Sequence, residues 1–144
     1  MIIHQVSGLW QSPSWPPGKG HPDYINACAE VSFSASAGEL LSVLHHVEDE
    51  FGRERIELNA PRALDLDLLD FKEQQFNTPA LTIPHPRMSG RAFVLFPLSQ
   101  IAPNWQHPIT GEHIEATIAK LPLADVRPMR YLGALNYANT PNFA

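Results

Sequence analysis

The chain has 144 residues, 44% of them hydrophobic, enough for one domain with a core of its own, which excludes a disordered or fibrous protein. A formal charge of −5 argues against a nucleic-acid surface, and no apolar run is long enough to cross a bilayer as a helix. Cys28 is the sole cysteine, which rules out an internal disulfide or a thiolate zinc cluster and fits a reducing compartment.

In chain order, residues 2–11 read as a weak strand interrupted by Gly8. Residues 12–22 are a loop, because Pro13, Pro16, Pro17, Pro22, Gly18 and Gly20 deny them regular structure. Ile25, Ala27, Ala29, Val31 and Phe33 then alternate with polar or small residues, a period of two that predicts one continuous strand over 24–33. Ser36 and Glu39 form a capping box ahead of Leu40, Leu41, Leu44, Val47 and Phe51 at helical spacing, with Gly52 as the stop. A charged connection covers 53–61 and leads into a third strand, the one that carries Asp65 and Asp67. A loop is expected from there to Pro84. Ser89 is a candidate cap for a short apolar helix through Phe96, closed by Pro97, and a last helix is expected over 111–121. Beyond Pro122 there is no periodicity, so a domain over 1–122 and a loosely held tail over 123–144 are expected. Interleaved strands and helices place the chain in the α+β or α/β class.

Asp65 and Asp67 alternate with Leu64, Leu66 and Leu68. On a strand this puts both carboxylates on one face, about 6–7 Å apart, and the leucines on the other. A hard cation between the carboxylates would remove their mutual repulsion, and Mg²⁺ is commonly held by one or two carboxylates plus substrate phosphates. Six of the ten basic residues (Arg53, Arg55, Arg62, Lys72, Arg87 and Arg91) lie between positions 53 and 91. That cationic centre in an acidic chain suits a small, highly charged anion. A magnesium–polyphosphate site is the reading these residues support. No GxGxxG or GxxxxGK[ST] run occurs, so any nucleotide would be held by side chains and metal. Nothing near Cys28 marks it as a nucleophile; His45 and His46 read as structural, His4, His21, His107 and His113 as surface residues, and Trp10, Trp15 and Trp105 as packing or loop anchors. The N-terminus lacks a basic stretch followed by an apolar core, which argues against export and for a cytoplasmic location.

Residues 59–69 (NAPRALDLDLL), 83–95 (IPHPRMSGRAFVL) and 97–103 (PLSQIAP) resemble the signature stretches of the 6-hydroxymethyl-7,8-dihydropterin pyrophosphokinase family. Ser12-Pro13 and residues 22–27 (PDYINA) are similar to its pterin-side segments. The resemblance runs from about Val6 to Leu121. It implies a ferredoxin-like α/β sandwich with a mainly antiparallel sheet, and transfer of pyrophosphate from ATP to the hydroxymethyl group of a reduced pterin, releasing AMP, in folate synthesis. It also implies two Mg²⁺ ions held by Asp65 and Asp67, phosphate contacts from Arg53, Arg62, His85 and Arg91, and Arg55 joining from the 53–61 loop. Tyr24 and Phe93 would sandwich the pterin ring, while Asn26, Ser12 and Pro13 would read its polar edge. The partners implied are small molecules, with no nucleic acid and no membrane. The alternative is a noncatalytic or partner-dependent ligand-binding remnant of that family.

Two departures from the family pattern stand out. The family's opening strand, Gly-Ser-Asn turn and first helix have no counterpart before Ile2, so an N-terminally shortened form with an unpaired sheet edge is expected. Asn59 stands where some members carry an aromatic residue.

Overall fold

A computed structural model describes residues 1–14, 20–52 and 63–135. Strand β1 (Ile2–Val6) pairs antiparallel with β4 (Ala29–Ser32), and β2 (Leu9–Ser12) pairs antiparallel with β3 (Tyr24–Asn26). The expected strands over 2–11 and 24–33 are therefore each broken, at facing positions, so that their halves enter different ladders. The cause is local. Ser7 N–H donates to the Cys28 carbonyl at 2.8 Å, but Cys28 N–H is taken by the Ser7 hydroxyl, also at 2.8 Å, instead of by a backbone carbonyl. A side chain satisfies the donor and the ladder stops. Gly8, next along, is buried, and an added Cβ would lie 2.8 Å from the Gly133 carbonyl and against the Tyr131 ring.

Helix α1 (Ala37–Gly52) starts as the capping box dictates: Glu39 N–H donates to Ser36 Oγ at 3.2 Å. Ala37 and Leu40 are buried and Leu44 packs beside them, whereas Phe51 at the far end is 58% exposed. The expected loop before Pro84 contains a hairpin, β5 (Phe76–Asn77) with β6 (Thr82–Ile83), closed by paired Thr78 and Leu81 backbone bonds.

A 3₁₀ turn at Met88–Gly90 leads into α2 (Ala92–Ile101). This helix differs from the expected one at both ends. Ser89 does not cap it, the preceding residue being Arg91, and it continues through Pro97. The apolar spacing explains the continuation, since Ala92, Leu95, Leu98 and Ile101 are all buried. Burying Leu98 and Ile101, at about 1.5–3 kcal/mol each, offsets the roughly 3 kcal/mol that an interior proline costs.

Helix α3 (Ile114–Ala119) is capped by His113, whose Nδ1 accepts the Glu115 N–H at 3.3 Å. After it come α4 (Leu123–Val126) and β7 (Arg130–Gly133), which pairs with β2 on the side opposite β3. Through Gly133 the expected tail is thus part of a sheet. It carries too few residues per element to show a period, and its register comes from β2. Residues 136–144 lie outside those described.

The architecture is α+β with antiparallel ladders, and among the described residues the ladders β1–β4, β3–β2–β7 and β5–β6 remain separate. Two apolar clusters hold it together. One is Met88, Ala92, Leu95, Leu98, Ile114 and Leu121; the other is Ala37, Leu40, Phe71 and Ile83. Ile2 and Ile3 on β1 are 63% and 51% exposed. No described helix is long and apolar enough to cross a membrane.

Candidate active site

Residues 64–70 run extended between the two apolar clusters, but no ladder pairs them among the described residues, so the strand expected around Asp65 and Asp67 is a bare extended segment. The alternation still operates. Leu64, Leu66 and Leu68 are half-buried while Asp65 and Asp67 are exposed on the other side. Apolar burial of alternate residues thus sets the register that a strand partner would otherwise set. One further pin comes from α1, where the buried Glu48 accepts the Leu66 N–H at 2.9 Å through Oε2.

Asp65 and Asp67 edge a cavity of about 240 Å³. Leu41, His45 and Glu48 line it from α1, and Leu81, Thr82, His85 and Pro86 from the β6 side. His85 is placed by its own backbone: its N–H donates to the Leu69 carbonyl at 2.9 Å, and Nδ1 accepts the Arg87 N–H at 3.2 Å. The second bond puts the neutral ring's proton on Nε2, leaving an N–H donor. Burial lowers the His85 pKa below its ordinary 6.5; Asp67 opposes the shift, while Arg91 and Arg87 add to it. The imidazole is therefore neutral near pH 7.

This has a measurable consequence. The ¹H–¹⁵N signals of His85 should titrate below 6.5, and Asp67→Asn should move the midpoint lower still, because the charge it removes is the one holding the value up. The unfolded chain then takes up a proton before the folded one. The stability contributed is full above the ordinary imidazole value and is lost as pH falls through the lower folded value. A His85 midpoint above 6.5 would contradict the burial described here.

Arg91, half-buried at the N-terminus of α2, holds its guanidinium carbon 5.4 Å from the centroid of the Phe93 ring. Neither residue lines the cavity beside Asp65. Arg87 is exposed. A second group sits on the β2–β3 ladder. Ser12 pairs with Tyr24 in register, and the Asn26 amide Nδ2 donates to Ser12 Oγ at 2.9 Å and to the Trp10 carbonyl at 3.1 Å. Ser12 is buried, whereas Pro13 and Tyr24 are exposed. Arg53, Arg55, Arg62 and Asn59 lie outside the described residues, as does Trp15.

Periodicity did not single out His45, Glu48 or Thr82 as site residues. His45 and Glu48 sit three apart on α1, so one helix face presents both, and an interrupted apolar stripe was the only signal available. Cys28 faces no site: burial pushes its thiol up to about 11, far from a reactive thiolate. Among the described residues no third His, Cys, Asp or Glu joins Asp65 and Asp67 in a closed metal cage. Two exposed carboxylates with no cage fit a hard divalent ion that draws its remaining ligands from water and phosphate.

The fold and cleft define an α+β protein in which paired carboxylates and a neutral imidazole face the same space. The chain belongs to the 7,8-dihydro-6-hydroxymethylpterin-pyrophosphokinase family, whose model matches residues 1–103. It is 41% identical over 127 residues to a 2-amino-4-hydroxy-6-hydroxymethyldihydropteridine pyrophosphokinase of Synechocystis sp., covering 88% of this chain and 64% of that protein. A Pseudomonas aeruginosa protein of the same name is 37% identical over 121 residues, covering 84% of this chain and 74% of that one. The folic acid synthesis protein fol1 of Pneumocystis carinii is 36% identical over 111 residues, or 77% of this chain and 15% of the relative. The chain thus spans less than two thirds of the Synechocystis and Pneumocystis relatives.

Proposed function

We propose that this chain transfers pyrophosphate from ATP to 6-hydroxymethyl-7,8-dihydropterin in folate biosynthesis, in the cytoplasm. The observation that carries this reading is the meeting of Asp65, Asp67 and His85 at one cavity in a chain matched by that family's model. In the reaction the pterin hydroxymethyl oxygen bonds to the β-phosphorus of ATP. The bond from that phosphorus to the α–β bridging oxygen breaks, AMP leaves, and one proton is released.

Such a transfer needs little covalent help from the protein, so holding the reactants in line and neutralising phosphate charge dominate the rate. Asp65 and Asp67 would hold Mg²⁺, with two ions expected from the resemblance. When bound, Mg²⁺ neutralises phosphate oxygens and orients the attacking and leaving groups. His85 offers a phosphate oxygen its Nε2–H as a neutral donor, and Arg91 adds a charged one. Arg53, Arg55 and Arg62 would complete the phosphate contacts. Tyr24 and Phe93 supply flat faces for a heteroaromatic ring, and Asn26 with the Ser12-Pro13 backbone supplies polar contacts at its edge. The alternative of a noncatalytic or partner-dependent remnant is not favoured, since the relatives that match most of this chain carry the name pyrophosphokinase.

The direct test is AMP formation from ATP and the hydroxymethyl pterin with Mg²⁺ present. Pterin-dependent AMP release is expected, and AMP that appears equally without the pterin would overturn the reading.

A further inference from the structure

Asp70 ends the extended segment that carries Asp65 and Asp67, at the point where the chain passes between the two apolar clusters. Leu69 packs on the Leu95–Ile114 cluster, while Leu68 and Phe71 belong with Leu40 and Ile83. An aliphatic side chain would satisfy that junction. A carboxylate there loses hydration, and its Oδ1 is buried with no hydrogen-bond partner among the described residues. Its other oxygen, Oδ2, accepts the Trp105 indole N–H at 2.9 Å. Trp105 is itself fixed: its N–H donates to the Ala102 carbonyl at 3.1 Å, and its carbonyl accepts the N–H of the buried Ile114 at 2.9 Å.

Among the described residues no ladder pairs the segment, and the Glu48 bond at Leu66, the His85 bond at Leu69 and the indole bond at Asp70 help to hold it. The last two are adjacent in sequence and face different elements. A slip at Asp70 would therefore move Leu69, and with it both the His85 backbone and the aspartate pair.

We infer that Asp70 is a positioning residue: through Trp105 it sets the placement of the Asp65–Asp67 pair relative to His85, and so the affinity of that pair for a divalent ion. The inference rests on the metal reading proposed above, and its test separates the two. The probe is Mn²⁺ alone, an EPR-visible stand-in for Mg²⁺, titrated into the full chain.

Trp105→Phe keeps the ring but removes the donor, and Asp70→Leu fills the apolar junction without an acceptor. Both should weaken Mn²⁺ binding about 10-fold, the lower end of the usual effect of supporting residues on metal affinity. The double variant should be no worse than either single, because both break one bond. Asp70→Asn, which still offers an oxygen to the indole, should bind Mn²⁺ as the parent does. Asp70→Leu should also melt close to the parent, since relief of the buried Oδ1, unpaired among the described residues, offsets the loss of an acceptor for the indole N–H. A merely structural role predicts the reverse, lower melting with unchanged Mn²⁺ affinity. In the metal-free protein the His85 amide, one bond from the anchor, should exchange about 10-fold faster in Trp105→Phe than in the parent.

Unchanged Mn²⁺ affinity in Trp105→Phe, with a parent that binds, overturns the inference and leaves the functional reading standing. A parent that binds no Mn²⁺ overturns the metal reading; the positioning role then stands or falls on the His85 amide alone, faster exchange supporting it and unchanged exchange overturning it.

Discussion

Asp65→Asn and Asp67→Asn should each lower kcat/KM for pterin-dependent AMP formation by about 10³-fold or more, with the folded state nearly unaffected. The size follows from the role proposed for them. Losing one preorganised electrostatic contact typically costs about 10²–10³, and these carboxylates would hold the ions that orient both ends of the displacement. The stability side follows from exposure. Both side chains are exposed, and the register of their segment is kept by Leu64, Leu66 and Leu68, which the substitutions leave alone. Changes at exposed charged side chains of this kind cost about 0–1 kcal/mol, whatever partner they leave. Steady-state rates over a range of Mg²⁺ concentrations, beside urea unfolding, give both numbers. A variant that keeps a tenth of the parent rate would remove the aspartate it replaces from the mechanism.

Gly8→Ala should be among the most damaging small substitutions for stability, although one methyl group is all it adds. The new Cβ would lie 2.8 Å from the Gly133 carbonyl and closer still to the Tyr131 ring. A ring can swing aside, but the carbonyl belongs to β7, held to β2 by the ladder that pairs Leu9 with Gly133. Overpacking of this kind typically costs about 1–3 kcal/mol. The same ring packs on Trp10, 4.9 Å between centroids, and its hydroxyl accepts from Gln100, so the disturbance should spread along that cluster. Tyr131→Ala in the Gly8→Ala background should recover part of the loss, leaving only the clash with the backbone. Denaturant midpoints of the two single variants and the double one give the coupling directly. Strict additivity would mean that the ring is not what the methyl group meets.

Local chemistry made a good part of this chain readable. The Ser36 and Glu39 cap announced α1 because capping is a bond between neighbours in sequence. The alternation around Asp65 and Asp67 foretold which side chains face outward, since a period of two needs only an extended backbone. What it could not foretell was that no ladder would pair the segment among the described residues. Backbone pairing depends on a partner far along the chain, and for residues 64–70 Glu48 and Trp105 do part of that work with side chains.

The other misjudged boundaries have the same origin. The strand over 24–33 was divided by Ser7, more than twenty residues upstream of the break at Cys28. Pro97 failed to end α2 because Leu98 and Ile101 had a core to enter, and burial outweighed the proline. β7 had no visible period, since four residues opposite β2 need none of their own. His45, which reads as structural, and Glu48, which carries no motif, line the same cavity as Asp65 and Asp67 only because the turn of α1 sets them there.

By itself the sequence determined the class of the protein, the cap of its main helix, the outward face of the aspartate pair and the signature stretches that mark its family. Each of these is written in the order and spacing of nearby residues. Only the tertiary structure decided which ladders form, that His85 is neutral near pH 7 and turned toward the aspartates' cavity, and that a half-buried Asp70 is tied to Trp105. Those outcomes depend on burial and on contacts between residues distant in the chain, where small differences in packing and desolvation choose among arrangements that local preference leaves equal.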